Sequence, residues 1–313
     1  MKHLLNQFMY FLVILVSIFV VFIFSISFGK IYQISTQPSA QEPLPTQIPS
    51  PTSTLTILEK NITEILNNKQ GDYGIYFKDL KSEKTFVLNA DREFQTASLY
   101  KLWVMAETYR QIKQGKLDKE HVMTAKIAEL NEQFKIATES ADPSKDMDDE
   151  VSYTVFDALN EMITISGNYS AFILGRQIRL FNVSDLLESY KLNHSSIGDN
   201  AIGIPTTTAR DTGVFFELLY KGELIDEKSS IAMLELLKKQ QLNDKIPRHL
   251  PEDIEIAHKT GELAPFNHDA GIVYTDNGNY IIAILSETDD QTHAEEVIAN
   301  ISKTVYDYVV DEY

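Results

Sequence analysis

The chain has no cysteine among its 313 residues, so no disulfide or thiolate metal site holds its fold and no thiol serves as a nucleophile. It is also short of positive charge, with 28 Lys and Arg against 45 Asp and Glu and a formal net charge of -17. That imbalance excludes partners gripped through their phosphates, nucleic acid and anionic membrane surfaces alike, because both demand clustered lysine and arginine. The seven histidines offer neither a His-x-His nor a His-Glu-x-x-His spacing, so no metal is expected, and no cofactor motif is present. No internal repeat occurs.

What is present falls into three parts. Residues 8–28 run 21 positions without a charge, long enough to span a bilayer as a helix. The run is longer than the apolar region of a cleaved signal and lacks a small-x-small cleavage site, so residues 1–30 are expected to be a membrane anchor. Residues 31–54 hold Pro38, Pro43, Pro45, Pro49 and Pro51 among Ser, Thr and Gln, which gives an extended linker. Residues 55–313 then form one acidic domain.

The pattern in that domain predicts a helix over 55–66, strands over 73–78 and 85–88, and a mostly helical stretch from Trp103 to Tyr220 with no convincing strand. Strands return over 255–259, 271–275 and 280–285, and a helix over 293–310 closes the chain. Early and late strands need each other. The expected architecture is therefore α+β, a mainly antiparallel sheet flanked by helices and built from both ends of the domain, with an all-helical lobe inserted between them.

Three short polar motifs stand at the junctions of this plan. Ser98-Leu99-Tyr100-Lys101 places a serine and a lysine one turn apart in an otherwise apolar helix. Burial disfavours an ammonium, so Lys101 can take the proton of the Ser98 hydroxyl, while free backbone N–H groups at the helix start can hold an oxyanion. The motif is weak alone, since Ser27-Phe28-Gly29-Lys30 repeats it at the edge of the hydrophobic run. Ser166-Gly167-Asn168 lies at a helix-to-loop corner, where a capping role is the plain alternative. Lys259-Thr260-Gly261 lies in a late strand. Order and placement carry more weight than any one match.

In that order the three motifs resemble those of the penicillin-recognising serine hydrolases, and most closely the class A β-lactamase catalytic domain. The likeness extends to Thr206-Thr207-Thr208-Ala209-Arg210-Asp211, to Gly222-Glu223-Leu224 and to His268-Asp269-Ala270-Gly271. It implies that Ser98 is acylated, that Lys101 manages its proton and that Ser166 relays a proton to the leaving nitrogen. It further implies that Asn168 binds the substrate's amide, that Lys259 and Thr260 hold its carboxylate, and that the N–H groups of Ser98 and of Glu262, which follows Gly261, form the oxyanion hole. The implied substrates are β-lactams or D-alanyl-D-alanine peptides. A monomer is expected, anchored in the cell membrane by one helix with its catalytic domain on the extracytoplasmic side.

Three departures from the resemblance stand out. Gly167 replaces the usual Asp of the middle motif. Residues 192–205, where the family carries a water-positioning glutamate, contain only Asp199 as an acid, so slow hydrolysis is expected. The arginine usual beside Lys-Thr-Gly is missing, with Asn267 and His268 in that neighbourhood.

Overall fold

The computed structural model describes residues 54–67, 69–134, 146–198 and 203–312. The expected anchor and nearly all of the expected linker lie outside these residues, as does Asp199. Among the described residues no helix is long and apolar enough to cross a membrane.

Helix α1 (Thr54–Leu66) leads into β1 (Asp72–Asp79) and β2 (Thr85–Leu88), then the short β3 (Phe94–Gln95). A 3-10 turn (Ala97–Tyr100) runs directly into α2 (Lys101–Lys113). The inserted lobe follows, with β4 (Val122–Lys126), α3 (Ile127–Gln133), β5 (Glu150–Thr154), α4 (Val155–Thr164), α5 (Asn168–Ile178) and α6 (Asn182–Ser189). After β6 (Thr206–Thr207) come α7 (Ala209–Tyr220) and α8 (Glu227–Leu237), then β7 (Ile256–Leu263), β8 (Phe266–Val273), β9 (Tyr280–Glu287) and α9 (Gln291–Glu312).

The main sheet has the order β2-β1-β9-β8-β7 with every pair antiparallel, so the first strand lies beside the last, Ile75 opposite Ile284. Strands β1, β8 and β9 are buried on both faces, and alternate residues enter different cores. On β9, Tyr280, Ile282 and Ile284 join α1 and α9 in one core, while Ile281, Ala283 and Leu285 join the core that continues into the inserted lobe. Helix α7 crosses the second face at Gly213, where a Cβ would lie 2.1 Å from the Tyr76 ring, so only glycine permits that approach. Its start is capped by Thr208, whose hydroxyl accepts the Asp211 N–H at 3.1 Å.

The lobe is not all-helical, because β4 pairs with β5 in a separate two-stranded sheet, Met123 opposite Tyr153. Only Met123 and Ala125 of β4 turn inward, and the partner strand lies more than twenty residues downstream, so neither segment advertises itself locally. Ser98, expected within the helix, lies in the 3-10 turn before α2 and not in the helix itself.

Candidate active site

Three elements deliver the three motifs to one place. In a 3-10 turn the side chains at i and i+3 eclipse, which sets Ser98 and Lys101 on one side of the turn. Ala97, just before the serine, has φ of 43°, in the left-handed region that a residue with a Cβ enters at some cost. The N–H of Thr96 is engaged by Pro205 O and that of Leu99 by Thr96 O, whereas the Ser98 N–H meets no acceptor among the described residues.

The turn is pressed against β7, the outermost strand of the sheet. A Cβ on Gly261 would come within 2.9 Å of Thr96 O and 3.1 Å of Leu99 Cγ, so the glycine of Lys-Thr-Gly is what lets the strand edge reach the serine turn. His268, opposite Gly261 on β8, fixes the same junction from behind. Its Nε2 bonds to Gln95 O at 2.8 Å and its Nδ1 accepts the Ser286 N–H at 3.1 Å, an arrangement that fits one neutral tautomer. Burial holds this ring down at a pKa of about 4.

Ser166-Gly167-Asn168 forms the corner between α4 and α5. Ser166 is itself left-handed, with φ of 59°, which turns both its carbonyl and its hydroxyl toward Lys101. The Lys101 Nζ lies 2.6 Å from Ser166 O, 3.2 Å from Ser166 Oγ and 2.8 Å from Asn168 Oδ1. Lys259 Nζ reaches the same Ser166 Oγ at 3.0 Å and also donates to Thr260 O at 2.8 Å. Asn168 and Ser166 therefore do more than cap a helix.

Gly167 has its own steric reason. A Cβ there would sit 2.5 Å from Ser170 Oγ and 2.7 Å from Glu161 Oε1. The space an aspartate would need is taken by Glu161, which accepts the Tyr153 hydroxyl at 3.1 Å.

Both lysines are buried, and burial is the main cause of their lowered pKa values. Lys101 falls well below the ordinary lysine range, with the charge of Lys259 adding to the effect. Lys259 falls to about 7 through burial, opposed by Asp269 and Glu262 and reinforced by Lys245. Asp269 is held by His258 at 2.9 Å and by the Ile246 N–H at 3.0 Å. A lysine that has lost its proton has two N–H groups and one lone pair. The two short contacts to Ser166 O and Asn168 Oδ1 use the hydrogens of Lys101 and leave its lone pair for a hydroxyl proton.

Lys245, from the segment between α8 and β7, escaped the sequence reading. Its side chain is 1% exposed and pairs with Glu262, so a lysine supplies the cation beside Lys-Thr-Gly that the missing arginine left open. Distance along the chain hid it, because nothing local distinguishes Lys245 from the nearby surface lysines. Asn267 and His268 face backbone partners instead. On the other side of the serine turn, Tyr100, Phe134, Phe172, Leu180 and Ile197 line a cavity of about 150 Å³ whose described lining holds no carboxylate. Gly198 and Gly203 lie close together, and a Cβ on Gly198 would lie 2.4 Å from the Gly203 backbone.

A serine in a strained turn, two depressed lysines and a shared hydroxyl, set between an antiparallel sheet and an inserted lobe, define a serine hydrolase of the β-lactamase fold. A family model described as "Beta-lactamase enzyme family" matches residues 57–309, and the chain belongs to that family. Among solved structures, a β-lactamase from Sphaerobacter thermophilus superposes with a TM-score of 0.71 at 23% identity, covering 81% of this chain and 96% of its own. PBP-A superposes with a TM-score of 0.73 at 22% identity, covering 83% and 97%. A class A β-lactamase representative from Bacteroides cellulosilyticus gives 0.72 at 19% identity, covering 83% and 99%. A search of curated protein sequences returned no match.

Proposed function

We propose that this hydrolase forms an acyl-enzyme at Ser98 with β-lactams, opens their ring and releases the product slowly. The observation that carries the reading is the single Ser166 hydroxyl bonded by both Lys101 and Lys259. In this scheme neutral Lys101 takes the Ser98 proton as Oγ bonds to the lactam carbonyl carbon. The C–N bond then breaks, and the proton passes from Lys101 through Ser166 Oγ to the departing nitrogen. Ser98 N–H and Glu262 N–H hold the oxyanion, Asn168 binds the acyl amide, and Lys259 with Thr260 meets the carboxylate. Water must then cleave the ester, and the carboxylate-free described lining of the cavity beside Tyr100 together with the glutamate-free loop supports a slow second step.

A second reading, a D-alanyl-D-alanine peptidase, draws support from the likeness to PBP-A, one structure of which is described as an acyl-enzyme complex with penicillin G. We also propose that residues 8–28 anchor the chain in the cell membrane as a single pass with the domain outside the cytoplasm, on the strength of the charge-free run. Kinetics on a chromogenic β-lactam beside a D-alanyl-D-alanine peptide separate the two activities. Mass spectrometry after penicillin treatment should find one acyl group on Ser98, and labelling that survives Ser98→Ala would defeat the assignment.

A further inference from the structure

Glu262 and Lys245 form an ion pair buried on one side only. The lysine side chain is 1% exposed and the glutamate 51%. The lysine is held from behind: the next residue, Ile246, donates its N–H to Asp269 Oδ2 at 3.0 Å and accepts the Ser302 hydroxyl at 2.9 Å. The carboxylate has no such restraint, since Lys245 is its sole hydrogen-bond partner among the described residues. Along a strand, residues two apart share a face, so Thr260 and Glu262 present their side chains on the same side of β7. That side is where the acyl-enzyme reading, on which this inference rests, puts the substrate carboxylate.

We infer that the Glu262 carboxylate is an internal competitor for the substrate's carboxylate: it occupies Lys245 in the resting protein and must swing away before that cation can serve an anionic ligand. A buried ammonium facing a half-exposed carboxylate that has no second hydrogen-bond partner among the described residues is a site with a removable occupant. The swing is open to Glu262 because its far side faces solvent, and closed to Lys245 because its backbone is tied to β8 and α9. An anionic substrate is therefore disfavoured twice, by loss of the resting ion pair and by repulsion from the displaced carboxylate. An uncharged substrate pays neither penalty. Glu262 thus lowers selectivity for carboxylate-bearing substrates while its N–H serves the oxyanion.

The test measures acylation rate constants of Ser98 for benzylpenicillin and for its methyl ester, using the full chain and its Glu262→Gln and Glu262→Ala variants. Neutralising Glu262 should raise the ratio of acid to ester rates by about 10- to 100-fold, the range of one charge-assisted hydrogen bond. The rise should appear as a lower apparent dissociation constant for the acid, and should shrink to the part due to relieved repulsion alone when Lys245→Met is added. An unchanged or lower ratio, with Ser98 still acylated, overturns the competitor role and leaves the hydrolase reading standing. Absence of acylation by either compound in every variant overturns both.

Discussion

Lys101 and Lys259 reach the same oxygen: Ser166 Oγ lies 3.2 Å from one Nζ and 3.0 Å from the other. Two ammonium groups on one hydroxyl repel each other in a buried setting, so the arrangement favours a single proton between them and a path for moving it.

The pH dependence follows from that pair. Acylation should rise with pH as Lys101 loses its proton, then fall for carboxylate substrates as pH passes about 7 and the free protein's Lys259 becomes neutral. Lys259→Arg keeps its charge to far higher pH and should displace the alkaline limb upward. Lys101→Ala should slow acylation by about 10²- to 10⁴-fold, the usual contribution of a general base. Stopped-flow acylation across pH checks both, and an alkaline limb that stays in place in Lys259→Arg would assign it to another group.

His268 should make the domain acid-sensitive. Its folded pKa of about 4 lies below the unfolded value near 6.5, so between these values the unfolded chain binds the extra proton and stability falls as pH drops. The full loss is about 3 kcal/mol, complete near pH 4 and absent above about pH 6.5. His268→Gln can bond to Gln95 O and Ser286 N–H without titrating. Denaturant midpoints from pH 7 to 4 should show a shallower decline in that variant, and parallel slopes would count against the histidine.

Restoring the family's aspartate should damage this protein. Gly167→Asp places a Cβ 2.5 Å from Ser170 Oγ and a second carboxylate beside Glu161. Overpacking of this kind costs about 1–3 kcal/mol, and the shift at the corner should also displace Ser166 and slow acylation. Thermal melting and labelling measure both effects. A variant as stable and as fast as the parent would show that the corner yields freely.

Hydrolysis of the acyl-enzyme should lag behind its formation. The expected trace with a chromogenic β-lactam is a stoichiometric burst followed by slow turnover, since a missing general base costs about 10² to 10⁴ in rate. Asp199 is the one acid in its loop, and Asp199→Asn tests it. Fast turnover without a burst, removed by Asp199→Asn while Ser98 still acylates, would make that aspartate the base.

The sequence by itself determined the antiparallel sheet built from both ends of the domain, because apolar strands at 73–78 and 280–285 can hide two faces only against helices and each other. It also determined the three motifs and their order, since each is local: a serine one turn from a lysine, a corner, a strand. Tertiary structure alone decided the rest. The β4–β5 pairing joins segments too distant and too polar for their periodicity to reveal. The close packing of β7 on the Ser98 turn depends on Gly261, and the need for Gly167 depends on where Glu161 packs. Lys245 becomes a site residue only because the Asp269 and Ser302 bonds to Ile246 fold its segment behind the strand. Local pattern specifies which groups a chain carries, whereas burial and convergence, which shift their pKa values and set their partners, arise only when distant segments meet.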